Sequence, residues 1–157
     1  TTSHKGKPKS RGPRLDLIII ERDKHARQNR YSTWSYLQAL KEGLLLNNVL
    51  GRFFLQDNAK IHVSIAAREW FESHGIWVQA YPAHSPDLNL IEHVWKAMKA
   101  ILRKMFPDLY LLKNNQENRA RVVEAVKATW WAIPQDLIDS LIESMPRRMK
   151  AVRKVHG

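Results

Sequence analysis

The sequence predicts an α/β fold, a mixed sheet flanked by helices, and three observations predict it. Short runs rich in β-branched and aromatic residues at 15–20 (LDLIII), 52–56 (RFFLQ) and 76–80 (IWVQA) read as strands. Segments whose apolar residues recur every three or four positions lie between them, and more such segments follow the last strand. With 157 residues, 44% of them hydrophobic, the chain can bury one sizeable core and is short for two. One domain over 15–157 is therefore expected.

Residues 1–14 (TTSHKGKPKSRGPR) combine Gly, Pro, Ser and basic side chains with almost nothing apolar, so burial cannot offset their ordering entropy. They are expected to form a flexible basic arm or loop. Leu15 to Ile20 reads as a buried strand, flanked by Asp16 and Asp23. Ser32 or Thr33 can cap a helix with Trp34, Leu37, Leu40 and Leu44 inward, ending near Gly43 or Asn47-Asn48. Arg52 to Gln56 is the next strand and delivers Asp57 at its C-terminal end, where open α/β sheets place their ligand sites.

From Ser64 to His74 the set Ile65, Trp70 and Phe71 fits a helix, with Gly75 placed to take the left-handed conformation just beyond it. After the strand at 76–80, Tyr81-Pro82 breaks the pattern. Ser85, Pro86 and Asp87 then form a helix start: cap, first helical position and an acid against the positive dipole end. That helix, from Pro86 to about Met105, carries Leu88, Ile91, Trp95, Met98, Leu102 and Met105 as a seam. Glu92 would border the seam, partly desolvated and calling for a cation or a raised pKa. Lys96, Lys99 and Arg103 continue its stripe, a track for a phosphate backbone; the plainer reading is a surface i,i+4 pair between Glu92 and Lys96. Phe106 to Gln116 reads as a loop. Glu117 to Ile133 is a helix with Val122, Val123, Val126 and Trp130 inward, and Pro134 opens another through Leu137, Ile138, Leu141 and Ile142 before a basic tail.

A net charge of +11 favours a polyanionic partner, nucleic acid before acidic membrane, because binding phosphates releases counterions. The absence of cysteine excludes disulfides, thiolate zinc sites and cysteine nucleophiles. No apolar run approaches the roughly 20 residues of a membrane helix, so a soluble chain is expected. His84 and His93 have no companions at zinc spacing. The six tryptophans are read as core, with Trp77 and Trp131 the ones to test for exposure.

Asp57 and Glu92 are oxygen ligands suited to hard cations such as Mg2+ or Mn2+, which can activate an attacking oxygen and stabilise a leaving one at phosphorus. The blocks around them, QDNAKIH at 56–62 and SPDLNLIEHVW at 85–95, resemble the second and third acidic blocks of the Tc/mariner superfamily of DDE transposases. The resemblance covers most of the chain and makes Asp57 and Glu92 the second and third catalytic, metal-ligating acids. It departs at Lys60 and Leu90, where the family often has Pro. It implies a ribonuclease-H-like sheet, DNA transposition through cleavage and strand transfer, a Mg2+ or Mn2+ cofactor, and transposon ends and target DNA as partners. A homodimer and a nuclear location in a eukaryote, or a cytoplasmic one otherwise, follow from the same likeness.

Asn58, His62 and Asn89 would orient the ligand carboxylates or touch DNA, with turn and capping roles as the alternatives. Lys96, Lys99 and Arg103 would bind nucleic acid. LDLIIIERD most resembles the family's third strand, so the sheet is expected to be N-terminally truncated and the first acid to be missing; Asp16 or Asp23 as a stand-in is the disfavoured alternative, because nothing around either resembles the family's first block. Little catalysis is then expected of the chain alone. The alternatives are a non-catalytic nucleic-acid-binding or interaction module derived from a transposon, and another ribonuclease-H-like nuclease such as a resolvase.

Overall fold

The computed structural model describes residues 14–26, 30–45, 53–80, 88–113 and 115–156. In chain order these form α1 (Thr33–Gly43), β1 (Phe53–Gln56), α2 (Ile65–Ser73), β2 (Trp77–Ala80), α3 (Leu90–Met105), a 3-10 turn at Leu109–Leu111, α4 (Gln116–Ala132) and α5 (Gln135–His156). The architecture is α/β and rich in helix, with a two-stranded parallel sheet among the described residues. Two compact units arise, residues 15–89 and residues 90–156 with Arg14.

In the first unit, β1 and β2 pair in the register Phe53↔Trp77 to Gln56↔Ala80, with α2 as the crossover between them. Ser32 caps α1 by accepting from the Ser35 N–H, and Ser64 caps α2 by accepting from Ala67. Thr33 Oγ1 donates to Ser64 Oγ at 3.2 Å, so the two capped ends are tied together. Gly75 closes α2 at φ 62°: its N–H bonds the Glu72 carbonyl and the Ile76 N–H bonds that of Phe71, the paired bonds of a left-handed helix stop. The core is Tyr36, Leu40, Leu44, Ala67, Phe71 and Ile76, with Leu37, Phe54, Ile61 and Trp70 packed around it.

The structure corrects the sequence reading in three places here. Residues 15–20 form no strand, because a strand is held by a ladder and the ladder among the described residues joins β1 to β2. Ile18, Ile19 and Ile20 instead share a cavity wall with Trp34, Gln38 and Glu42 of α1. The buried residues of α1 are Ser35, Tyr36 and Leu40, with Leu44 just beyond its end, and Trp34 is 56% exposed; on α2, Ile65 is exposed and Ala67 takes the inner position. The Asn47-Asn48 turn lies outside the described residues, as does the arm before Arg14.

In the second unit α3, α4 and α5 pack around Val94, Met98 and Ile133, surrounded by Trp95, Ile101, Val126, Trp130, Leu137, Ile138 and Leu141. Asn115 caps α4 by accepting from Asn118 at 2.8 Å. Ile133, 2% exposed, ends that helix, and Pro134 offers its carbonyl to the Leu137 N–H as α5 begins. Arg14 donates to the carbonyls of Trp130 (2.6 Å) and Ile133 (2.7 Å) and to Gln135 Oε1 (3.2 Å), with its guanidinium 5.6 Å from the Trp130 ring. A cation there satisfies helix-end carbonyls that have no partner within the helix.

The seam of α3 is Val94, Met98 and Ile101 with Trp95, so Ile91 and Met105 are exposed, contrary to the pattern read from the sequence. On α4 the inner face is Ala125 and Thr129, and Val122 is partly exposed. α5 runs through Pro146 to His156, so the basic tail is helical although Pro146 cannot donate to the preceding turn. The Ser85-Pro86-Asp87 start lies outside the described residues, and α3 is formed from Leu90. Among the described residues no helix is long and apolar enough to cross a membrane.

Candidate active-site carboxylates

Asp57 follows the last residue of β1, and its carboxylate is 55% exposed. Oδ1 accepts from the Ala59 N–H at 3.1 Å and from His62 Nδ1 at 2.6 Å. An ionised carboxylate only accepts, so Nδ1 of His62 carries the proton. Oδ2 accepts no hydrogen bond from the described residues. Partial burial pushes the carboxyl up, but the Ala59 N–H, the His62 hydrogen bond and the His62 charge outweigh it and leave Asp57 below its ordinary value. Asp57 is thus an anion at neutral pH with one oxygen engaged and the other open.

His62 is held in turn. Its ring lies against Tyr36, centroids 4.3 Å apart, and its carbonyl accepts from Gln56 Nε2 at 3.2 Å. Tyr36 hydroxyl donates to Gln56 Oε1. Burial, and then the Asp57 charge, raise the Tyr36 phenol far above its ordinary range, so it stays a donor. Sequence reasoning found His62 and missed Tyr36 and Gln56. Their signals were present: Tyr36 stands four residues before Leu40, and Gln56 is a polar residue on the half-buried face of β1, where it needs a partner. Asn58 is exposed, and Asn89 is half-buried immediately before α3.

In the second unit Glu92 lies in the first turn of α3 and is exposed, which corrects the expectation of a desolvated carboxylate. The seam runs through Val94 and Met98, so Glu92 projects away from it. Glu92, Lys96, Lys99 and Arg103 do line one open depression, together with Trp95 and Ala100. His93 Nε2 accepts from Arg148 of α5 at 3.0 Å, and Arg148 also donates to Ser144. Trp77 is 68% exposed and Trp131 55% exposed, the two tryptophans singled out for exposure.

Asp23 is a structural residue. Its Oδ2 accepts from Ser32 Oγ at 2.7 Å and its Oδ1 from the His25 N–H at 2.9 Å, and these bonds, Ser32 first, hold its pKa down. Asp16 is exposed. Within neither unit do three or more histidine or carboxylate side chains gather around one point among the described residues. At Asp57 an ionised carboxylate is partly exposed to solvent, and a carboxylate oxygen is a ligand type that hard divalent cations take.

A βαβ unit with an exposed, ionised aspartate at its first strand end defines an α/β protein with an acidic site beyond that end. A family model described as DDE superfamily endonuclease matches residues 19–113, which include both Asp57 and Glu92. The chain belongs to that family. It is 34% identical over 148 residues to the transposable element Tc1 transposase of Caenorhabditis elegans, covering 94% of this chain and 49% of that protein. It is 32% identical over 112 residues to the Tcb2 transposase of Caenorhabditis briggsae, covering 70% of this chain and 38% of that protein. The Tc3 transposase of Caenorhabditis elegans is 34% identical over 107 residues, 66% of this chain and 30% of that protein. These likenesses agree with the Tc/mariner branch read from the two acidic blocks. The chain spans half or less of the length of these relatives.

Proposed function

We propose that this chain carries the second and third acids, Asp57 and Glu92, of a ribonuclease-H-like transposase catalytic domain that cleaves and joins DNA phosphodiesters with Mg2+ or Mn2+. The observation that carries the reading is the state of Asp57: at a strand end, ionised, anchored through Oδ1 and open at Oδ2, inside the segment that matches the family. A bound divalent ion would supply Lewis-acid stabilisation of charge at phosphorus. The chain itself supplies the oriented carboxylates and, along α3, Lys96, Lys99 and Arg103 to neutralise a phosphate backbone leading toward Glu92. The transposases named among its relatives support DNA as the partner, and so does the +11 charge. Asn58 and Asn89 are proposed as polar neighbours of the acids.

Neither Asp16 nor Asp23 is proposed as the first acid of the set: both oxygens of Asp23 are engaged, by Ser32 and by the His25 N–H, and Asp16 is an exposed residue on the extended stretch before it. With two acids, the chain alone is expected to nick DNA little or not at all. The test is DNA binding and plasmid nicking with and without Mg2+. Binding strengthened by Mg2+, with the strengthening removed by Asp57→Asn and by Glu92→Gln, supports the reading. DNA binding indifferent to Mg2+ and to both substitutions overturns it.

A further inference from the structure

We propose that Tyr36 and Gln56 are positioning residues for Asp57: they fix His62 at its ring and its backbone, so that Oδ2 of Asp57 is the one oxygen presented to a divalent cation. The proposal rests on the reading of Asp57 as a metal ligand and adds the parts that set its orientation.

An aspartate at a strand end rotates freely about χ1 and χ2 unless something holds one oxygen. Here Oδ1 uses its two lone-pair directions on the Ala59 N–H and on His62 Nδ1, which leaves Oδ2 toward solvent. The Ala59 N–H is backbone and is fixed by the turn that follows β1. The imidazole is a side chain, and its place is decided by Tyr36, on whose ring it leans at a centroid distance of 4.3 Å and a tilt of 37°. The backbone of residue 62 is set separately by Gln56, the residue before Asp57, whose amide nitrogen donates to the His62 carbonyl. Tyr36 hydroxyl closes the loop by donating to the same amide at Oε1, which fixes which way the Gln56 amide faces. Tyr36 is 5% exposed in the core of its unit, so the chain of contacts starts from a rigid point and ends at an exposed one. Metal sites commonly use such outer contacts to hold a ligand's rotamer.

The arrangement would also set how Asp57 meets a cation. With Oδ1 engaged twice, a cation meets one oxygen and not both, which suits the small octahedral Mg2+ ion.

The test is Mn2+ affinity of the purified chain, read from loss of the free-ion electron paramagnetic resonance signal, together with Mn2+ broadening of the His62 ring resonances in NMR. Tyr36→Phe keeps the ring and removes the bond to Gln56; Gln56→Met keeps the length and removes both bonds. Each is expected to weaken the Asp57-dependent Mn2+ affinity threefold or more and to reduce the ring broadening. Leu40→Ala, in the same core, is expected to lower the thermal midpoint and leave Mn2+ affinity unchanged, which separates positioning from stability. Should Tyr36→Phe fail to fold, Gln56→Met carries the test. Unchanged affinity in these variants, with affinity lost in Asp57→Asn, overturns the positioning role and leaves the metal reading standing. Unchanged affinity in Asp57→Asn overturns the metal reading and this proposal with it.

Discussion

His62 Nδ1 donates to Asp57 Oδ1 at 2.6 Å, five residues along the chain, and that one bond turns an exposed aspartate into an oriented one. The bond also has a consequence for stability against pH. The folded carboxyl titrates below the ordinary 3.8, so Asp57 contributes stability that is complete above that value and is lost as the pH falls through the lower folded one. Thermal midpoints measured across the acid range should fall less steeply below about pH 4 for Asp57→Asn than for the parent chain. Equal slopes would show that the bond does not form in solution.

Asp23 holds the entrance to α1 through Ser32 and His25, whereas Asp16, on the adjacent extended stretch, is exposed. Asp23→Ala should therefore lower the thermal midpoint clearly and Asp16→Ala hardly at all. The same pair tests the reading that Asp23 is architectural: its substitution should leave Mn2+ affinity unchanged in the folded protein.

Lys96, Lys99 and Arg103 share one depression with Glu92. Replacing all three by Ala should weaken DNA binding and reduce the slope of log affinity against log salt by about 2–3, as expected for the loss of three phosphate contacts. Fluorescence anisotropy with labelled duplex at several salt concentrations measures this. A slope equal to the parent's would place the DNA elsewhere.

Gly75 stands at φ 62° at the end of α2 with open space around its missing Cβ. Gly75→Ala should cost about 1 kcal/mol from the backbone conformation alone, with no clash added. Phe71→Ala, at 3% exposure in the same unit, should cost about 3–5 kcal/mol through lost burial and the cavity left behind. Urea titrations of the two variants compare these costs, and the order is the prediction.

Local chemistry was legible wherever a short stretch decides the outcome. Ser32 and Gly75 mark helix ends because a hydroxyl or a missing Cβ acts within a few residues, and the structure places both in those roles. β1 and β2, and Asp57 at the end of the first, were visible for the same reason. The acidic blocks around Asp57 and Glu92 gave the family, which the family match shows.

Periodicity, by contrast, names a helix without deciding which of two adjacent stripes faces in. Trp34, Ile65 and Ile91 are exposed, while Tyr36, Ala67 and Val94 are buried, because burial depends on what each helix packs against. Residues 15–20 looked like a strand by composition, but a strand exists only through a neighbour's hydrogen bonds. The sequence by itself determined the family and the helix ends at Ser32 and Gly75. Only the tertiary structure decided that Asp57 is anchored through His62, Gln56 and Tyr36, since contacts between residues twenty positions apart follow from packing, not from spacing.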